Sequence, residues 1–192
     1  MTTIPPVDFT CGHCGREVAS NLGYVGTWRS GTGSQGITRI VICSRCNFPT
    51  FFGPSGLVVP GPRFGEMVEH LPEDVAKLYA QAREVMTVGA YTAAVMLGRK
   101  VLMHVAVERG ADENLNFKAY VNYFAEQGIV TADMKSWVDE IRELGNDANH
   151  EIVVMSRHQA EELLTFVAML LKIVYEYPEK GRRSVAARRG ET

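Results

Sequence analysis

The sequence lacks a long hydrophobic run, a signal-like N-terminus, internal repeats and any cysteine outside two short pairs. Its longest apolar stretch, near residues 163–171, is too short to span a bilayer, which excludes an ordinary transmembrane helix. Residues 1–10 carry no basic cluster and no apolar core, so we expect no secretory signal and a cytoplasmic protein. The 192 residues suffice for one ordinary domain and one small domain.

The cysteines form two Cys-x-x-Cys pairs, Cys11 with Cys14 and Cys43 with Cys46. The two-residue gap lets both sulfurs of a pair face one ion, and two such pairs complete a tetrahedral Cys₄ site for Zn²⁺. The alternative is a group of free, buried thiols. Because four sulfurs leave no position for water, the predicted zinc is structural. We expect His13, which lies between two ligands, to be exposed rather than to coordinate.

Composition divides the chain into four predicted segments: a β zinc ribbon (1–60), a Pro/Gly-rich linker (61–70), a helical domain (71–177) and a basic, disordered tail (178–192). Strands are predicted at residues 22–29, 37–43 and 47–53. Helices are predicted at about 72–88, 91–109 and 116–127, from residue 131 onward, and from a Ser156/Gln159 capping box to Pro178. The fold class is therefore mainly α, a bundle of about five helices with a small N-terminal β ribbon.

Charge is distributed unevenly between these segments. Residues 1–65 carry a formal +3, residues 66–177 a formal −8, and residues 178–192 a formal +3. An acidic surface repels phosphate, so a polyanion would meet the ribbon or the tail first. Arginines and aromatics interleave in the ribbon, a pattern suited to contacting phosphates and stacking bases, although a small β domain also needs aromatics for its core. Arg29 and Arg39 are the predicted nucleic-acid contacts, since charged strand residues face outward.

The segment from Arg142 to His150 permits two interpretations. In the first, Gly145 and Asn146 end the fourth helix with a left-handed cap, and a polar loop follows. In the second, the helix continues, and His150 lies about 12 Å along the axis from Arg142. The two residues would then share a substrate only across the two-fold axis of a homodimer. In such a site His150 would transfer protons and Arg142 would stabilise phosphate charge.

Three segments of the chain resemble the prokaryotic family called domain of unknown function 4145. They are Leu71-Pro-Glu-Asp-Val-Ala, Gly89-Ala-Tyr-Thr-Ala-Ala-Val-Met-Leu-Gly-Arg-Lys-Val-Leu and Ile141-Arg-Glu-Leu-Gly-Asn-Asp-Ala-Asn-His-Glu, and the similarity covers about residues 70–177. That family resembles the HEPN superfamily (higher eukaryote and prokaryote nucleotide-binding) of small, often dimeric helical bundles. HEPN proteins are common in restriction, toxin–antitoxin and antiviral systems. Many are metal-independent endoribonucleases with an Arg and a His four to six residues apart, and others are non-catalytic; here seven residues separate the pair.

The resemblance implies a HEPN-like bundle in a homodimer that belongs to a prokaryotic or phage conflict system. The predicted function is nucleic-acid-associated, as a metal-independent endoribonuclease with Arg142, Asn146 and His150 as its catalytic residues. The alternative is a non-catalytic interaction or regulatory module with a structural zinc ribbon. RNA, DNA and a protein encoded by a neighbouring gene are the candidate partners, and no membrane association is expected.

Overall fold

The computed structural model of this chain describes residues 2–143 and 154–189. The chain forms two compact units. The first unit comprises Met1–Arg63 with Met86–Val88, and the second comprises Phe64–Val85 with Gly89–Thr192. Within the described ranges, no helix combines the length and apolar character needed to cross a membrane.

A five-stranded antiparallel sheet forms the first unit, with its strands ordered as in the chain. The strands are β1 (Thr2–Thr10), β2 (Glu17–Arg29), β3 (Gln35–Ile42), β4 (Pro49–Phe52) and β5 (Val58–Val59). The sequence predicts β2, β3 and β4 but neither edge strand. In β1, Pro5 and Pro6 lie where the register shifts between Thr3 and Val7. Proline is tolerated there because an edge strand leaves one row of amides unpaired.

The second unit is a helical bundle, which together with the sheet confirms the predicted fold class. Its helices are α1 (Glu73–Met86), α2 (Tyr91–Glu108), α3 (Phe117–Glu126), α4 (Lys135–Glu143), α5 (Arg157–Leu171) and α6 (Tyr177–Arg189). A π-helical turn, Lys172–Glu176, joins α5 to α6, so the described residues form five helical rods. The predicted capping box is present, since Ser156 and Gln159 cap α5 reciprocally, and Asn116, which was not predicted as a cap, caps α3.

The core of the bundle lies where α2 packs against α5. Gly98 permits this approach, since a Cβ atom at that position would lie 3.1 Å from Cδ2 of Leu163. Large side chains fill the space around this contact, including the fully buried Leu102, Phe124, Ile141, Leu164 and Phe166. Burial of each such side chain stabilises the fold by about 1.5–3 kcal/mol.

Part of the predicted linker packs on the bundle. The Arg83 guanidinium donates hydrogen bonds to the carbonyls of Phe64 (2.9 Å) and Gly65 (2.8 Å). Farther along, the Glu69 amide donates to the carboxylate of Glu176 at 2.9 Å. These contacts place the segment from Phe64 onward in the second unit.

The prediction of a disordered tail was wrong for the described residues, because α6 continues the rod to Arg189. Pro178, predicted to stop the last helix, lies in the first turn of α6. Proline has no amide hydrogen, so the carbonyl of Val174, four residues earlier, receives no α-helical bond from it. Arg109 donates to that carbonyl instead, at 2.8 Å. This contact, made across 65 residues of sequence, gives the carbonyl a donor that Pro178 cannot supply.

Candidate metal centre and hairpin arm

The four cysteines lie together at one site of the first unit. Their Sγ atoms all lie within 4.8 Å of one another. Cys11 and Cys46 are 3.8 Å apart, and Cys14 and Cys43 are 3.9 Å apart, so no disulfide joins them. A tetrahedral ion with metal–sulfur distances of about 2.3 Å requires sulfur–sulfur separations of about 3.8 Å. The cluster therefore fits a zinc-sized ion held by four sulfurs, in agreement with the ligand set predicted from the cysteine spacing.

Two turns of the same design position the four sulfurs. The amide of Gly15 donates to the carbonyl of Cys11 at 2.8 Å, and the amide of Asn47 donates to that of Cys43 at 3.0 Å. Both residues have left-handed backbones, with φ of 68° at Gly15 and 62° at Asn47. The role of Asn47 was not predicted, although Asn47 follows Cys46 as Gly15 follows Cys14. Asparagine is among the few residues that tolerate this conformation.

Electrostatics at the cluster favour a bound cation. Burial acts to raise the pKa of Cys43, but hydrogen bonds with the backbone amides of Cys46 and Arg45 outweigh it and lower the pKa to about 7. The amide of Phe48 acts to lower the pKa of Cys46, but burial and the other three thiols raise it to about 12. One thiolate thus suppresses ionisation of its neighbours. A divalent cation at the centre would remove this penalty and allow all four sulfurs to ionise.

His13 does not belong to the cysteine cluster. Its Nε2 atom lies 3.0 Å from the carbonyl oxygen of Pro49, and its ring lies 4.9 Å from the ring of Phe48. His13 is half-buried rather than exposed, because these contacts hold it against the second cysteine turn. His13 thus links the first cysteine turn to the second through these contacts.

The pairing of β2 with β3 extends beyond the rest of the sheet and forms a hairpin arm, defined here as residues 24–40, in which Arg39 and Ile40 at the base also pair with β4. Among the described strands, β1 reaches β2 only as far as Gly23, and β4 reaches β3 only as far as Arg39. Trp28 stabilises the arm by covering Gly36, its cross-strand partner, where a Cβ atom would lie 2.6 Å from the indole Nε1. The arm therefore presents both of its faces to solvent over much of its length.

The two arginines predicted to contact nucleic acid lie on one face of this arm. Strand register pairs Val25 with Arg39 and Arg29 with Gln35, which puts Arg29 and Arg39 on the same side and about 13 Å apart along the strand. Val25 and Ile37 share this side and are half exposed, at 50% and 55%. We call this side the arginine face.

The two arginines differ in exposure. Arg29 is exposed, as predicted. Arg39 is half-buried because β4 pairs beside it, and its Nε atom has no hydrogen-bond partner among the described residues. Between Glu17 and Glu66 the chain contains four arginines and no acidic residue, so the field of the arm is positive.

Of the predicted catalytic residues, Arg142 lies in the last turn of α4, where it forms an ion pair with Asp139. Its side chain is 19% exposed, and its Nε atom has no hydrogen-bond partner in the described structure. Neighbouring Trp137 anchors α4 to α5 through a 3.0 Å hydrogen bond to Glu162 and an edge contact with Phe166. Asn146 and His150 lie outside the described residues, so their separation from Arg142 is not assigned.

Comparison with known families identifies the bundle. Residues 80–188, more than half of the chain, match the model of the family described as domain of unknown function (DUF4145). The chain belongs to this family. No curated protein and no solved structure gave a significant match. The DUF4145 domain extends from α1 through α6, so it includes the helix for which the sequence predicted disorder. The sheet with the cysteine cluster lies outside the matched residues.

Proposed function

We propose that this DUF4145 protein binds nucleic acid through the arginine face of its hairpin arm, and that a structural Zn²⁺ at the four cysteines holds the arm in place. The single observation that carries the proposal is the placement of Arg29 and Arg39 on one face in a segment with no acidic residue. Arginine contacts phosphate through a planar fork of donors, and two forks about 13 Å apart along a strand can bind separate phosphates of one polyanion.

The apolar surface of the arm supports the same function. Tyr24 is 49% exposed and pairs with the 41% exposed Ile40 on the side opposite the arginine face. On the arginine face itself, the exposed Val25 and Ile37 can contact unpaired bases while the phosphates bind the two cations, and Tyr24 offers a stacking surface on the other side of the arm. Single-stranded RNA is therefore the preferred probe, with single-stranded and duplex DNA as the comparisons.

A binding assay with the Arg29→Gln variant tests the proposal. We expect affinity for a labelled single-stranded RNA to fall about fivefold, since one exposed phosphate contact contributes roughly 1 kcal/mol. The slope of log affinity against log salt should decrease by about 0.7. Arg157→Gln is the matched control, because it removes an equal charge from α5, where Arg157 pairs with Glu161. Equal losses in the two variants would show that net charge, not the arm, determines binding.

The full proposal places the protein in a prokaryotic or phage conflict system, as a dimeric, metal-independent endoribonuclease with Arg142, Asn146 and His150 at its centre. The support for this step is the family membership and the position of Arg142 at the end of α4. Cleavage requires Arg142 to exchange Asp139 for a substrate phosphate. We expect His150→Ala to abolish cleavage of RNA while the melting temperature stays unchanged. Light scattering that shows a monomer at micromolar concentration would eliminate the composite site.

A specific observation favours a second function, that of a non-catalytic interaction or regulatory module. Arg142 is largely covered and already paired with Asp139, which is the arrangement of a residue that braces a helix. Under this alternative, His150→Ala has no cleavage to abolish and lowers the melting temperature instead. The same variant therefore separates the two functions, with intact wild-type protein as the reference.

A further inference from the structure

A pocket of about 370 Å³ lies in the bundle where the end of α2 meets the start of α6. Leu71, Val174 and Pro178 form its apolar wall, and His70, Arg109 and Arg182 contribute its cationic and polar groups. Its volume is at the lower end of the range for small-molecule sites, which are mostly apolar with a few fixed polar groups. All of its lining residues belong to the second unit.

Arg109 is held in place yet keeps unused donors. One of its amino groups donates to the Val174 carbonyl at 2.8 Å, and its guanidinium carbon lies 5.3 Å from the centre of the Tyr175 ring. The neighbouring carboxylate of Glu108 accepts the hydroxyl of Tyr175 instead. Among the described residues Arg109 has no ion-pair partner, so its Nε and second amino group can bind a ligand.

Arg182 supplies the second cation. It donates from Nε (3.0 Å) and Nη2 (2.7 Å) to one oxygen of Glu179, which leaves its other amino group unused. Glu179 also lines the pocket, and its other oxygen accepts from Arg183 at 2.9 Å. Of the charged side chains that line the pocket, Arg109 and Arg182 outnumber the single carboxylate of Glu179.

Backbone geometry fixes the arrangement of the lining residues. Val174 and Tyr175 lie in the π-helical turn, a rare widened turn that often occurs at functional sites. His70 enters the pocket lining from a left-handed backbone with φ of 62°, a conformation uncommon outside glycine. Two unusual backbone segments thus meet at the same pocket.

From this arrangement we infer that the pocket binds the phosphate group of a small ligand through Arg109 and Arg182. A guanidinium presents parallel donors that match phosphate oxygens, and a donor group that is already fixed loses little entropy on binding. The ligand joins the end of α2 to the second turn of α6. Because α6 has no buried residue of its own, this bridge also stabilises α6.

Isothermal titration of the full chain with inorganic phosphate and with pyrophosphate tests the inference. We expect saturable binding. Arg109→Gln should weaken it about tenfold or more, since hydrogen bonds to a charged group are stronger than those between neutral groups. Arg109→Lys keeps one charge and a donor for Val174 but lacks the fork, so we expect an intermediate loss. Arg157→Gln, an equal loss of charge on α5, should bind as wild type does.

Two further readouts separate binding from a purely structural role of Arg109. Hydrogen exchange of α6 amides should slow in the presence of saturating pyrophosphate, and the effect should disappear in Arg182→Gln. Citrate, which offers carboxylates instead of phosphate, should bind more weakly than pyrophosphate. The inference is overturned if pyrophosphate does not saturate at millimolar concentration, if citrate binds equally well, or if Arg157→Gln weakens binding as much as Arg109→Gln.

Discussion

Gly15 and Asn47 occupy the same position in the two cysteine turns. Each follows the second cysteine of its pair, adopts a left-handed φ and donates its amide to the carbonyl of the first cysteine. A Cβ atom at Gly15 would meet no atom within 4 Å, so glycine is favoured there by the left-handed backbone and not by space. The two turns are thus one structural motif built with two different residues.

We predict that Gly15→Ala lowers the free energy of unfolding of the first unit by about 1 kcal/mol, the cost of a left-handed backbone for a residue with a Cβ. Asn47→Gly should be close to neutral, whereas Asn47→Val should be worse than Gly15→Ala because a β-branched residue resists this conformation. Thermal unfolding, monitored by the circular-dichroism signal of the β-sheet, measures these differences. A stable Asn47→Val variant would show that the left-handed turn is not needed.

Removal of the metal is expected to affect the two units differently. One zinc ion per chain should co-purify with the protein. A strong chelator should abolish the circular-dichroism signal of the β-sheet while most of the helical signal remains, because the bundle has its own buried core. Cys43→Ser should reproduce the effect without chelator, whereas His13→Ala should retain the metal. Zinc content near zero in protein purified without chelator would contradict the site.

Glu176 should make the stability of the bundle depend on pH. Its carboxylate is buried, and hydrogen bonds from Lys180 and from the Glu69 amide lower its pKa. Because the pKa is lower in the folded state, the ionised carboxylate stabilises the fold at pH values above the ordinary pKa of glutamate. This contribution is lost as the pH falls through the pKa of the folded state. We predict that Glu176→Gln lowers the melting temperature near neutral pH and reduces its acid dependence. The exposed Glu126→Gln serves as the control, and an identical pH profile for the two variants would contradict the prediction.

The basic helix α6 should contribute to polyanion binding. Lys180, Arg182 and Arg183 have ion-pair partners, whereas Arg188 and Arg189 have none among the described residues. Removing residues 179–192 should weaken binding to single-stranded RNA and flatten its salt dependence, and Arg188→Gln with Arg189→Gln should account for much of that change. Filter binding across a salt series measures both effects. Equal affinity and equal slope in the truncated protein would show that α6 does not contact the polyanion.

The sequence by itself determined features that depend on residues close together in the chain. Cysteine spacing identified the two pairs that form the cluster, and the capping box at Ser156 specified where α5 begins. Each cysteine pair and the capping box depend on atoms within one turn of the chain, so a short stretch of residues carries that information. The charge of the ribbon and the family membership of the bundle were likewise evident from composition and motif.

The tertiary structure alone decided features that depend on distant residues. β1 forms because β2 offers it partners, although its own prolines argue against a strand. Strand register put Arg29 and Arg39 on one face, which composition could not specify. The rod continues through Pro178 because Arg109, far away in sequence, satisfies the Val174 carbonyl. Local propensity predicts a break at that proline, and only a hydrogen bond supplied by the folded bundle removes the reason for it.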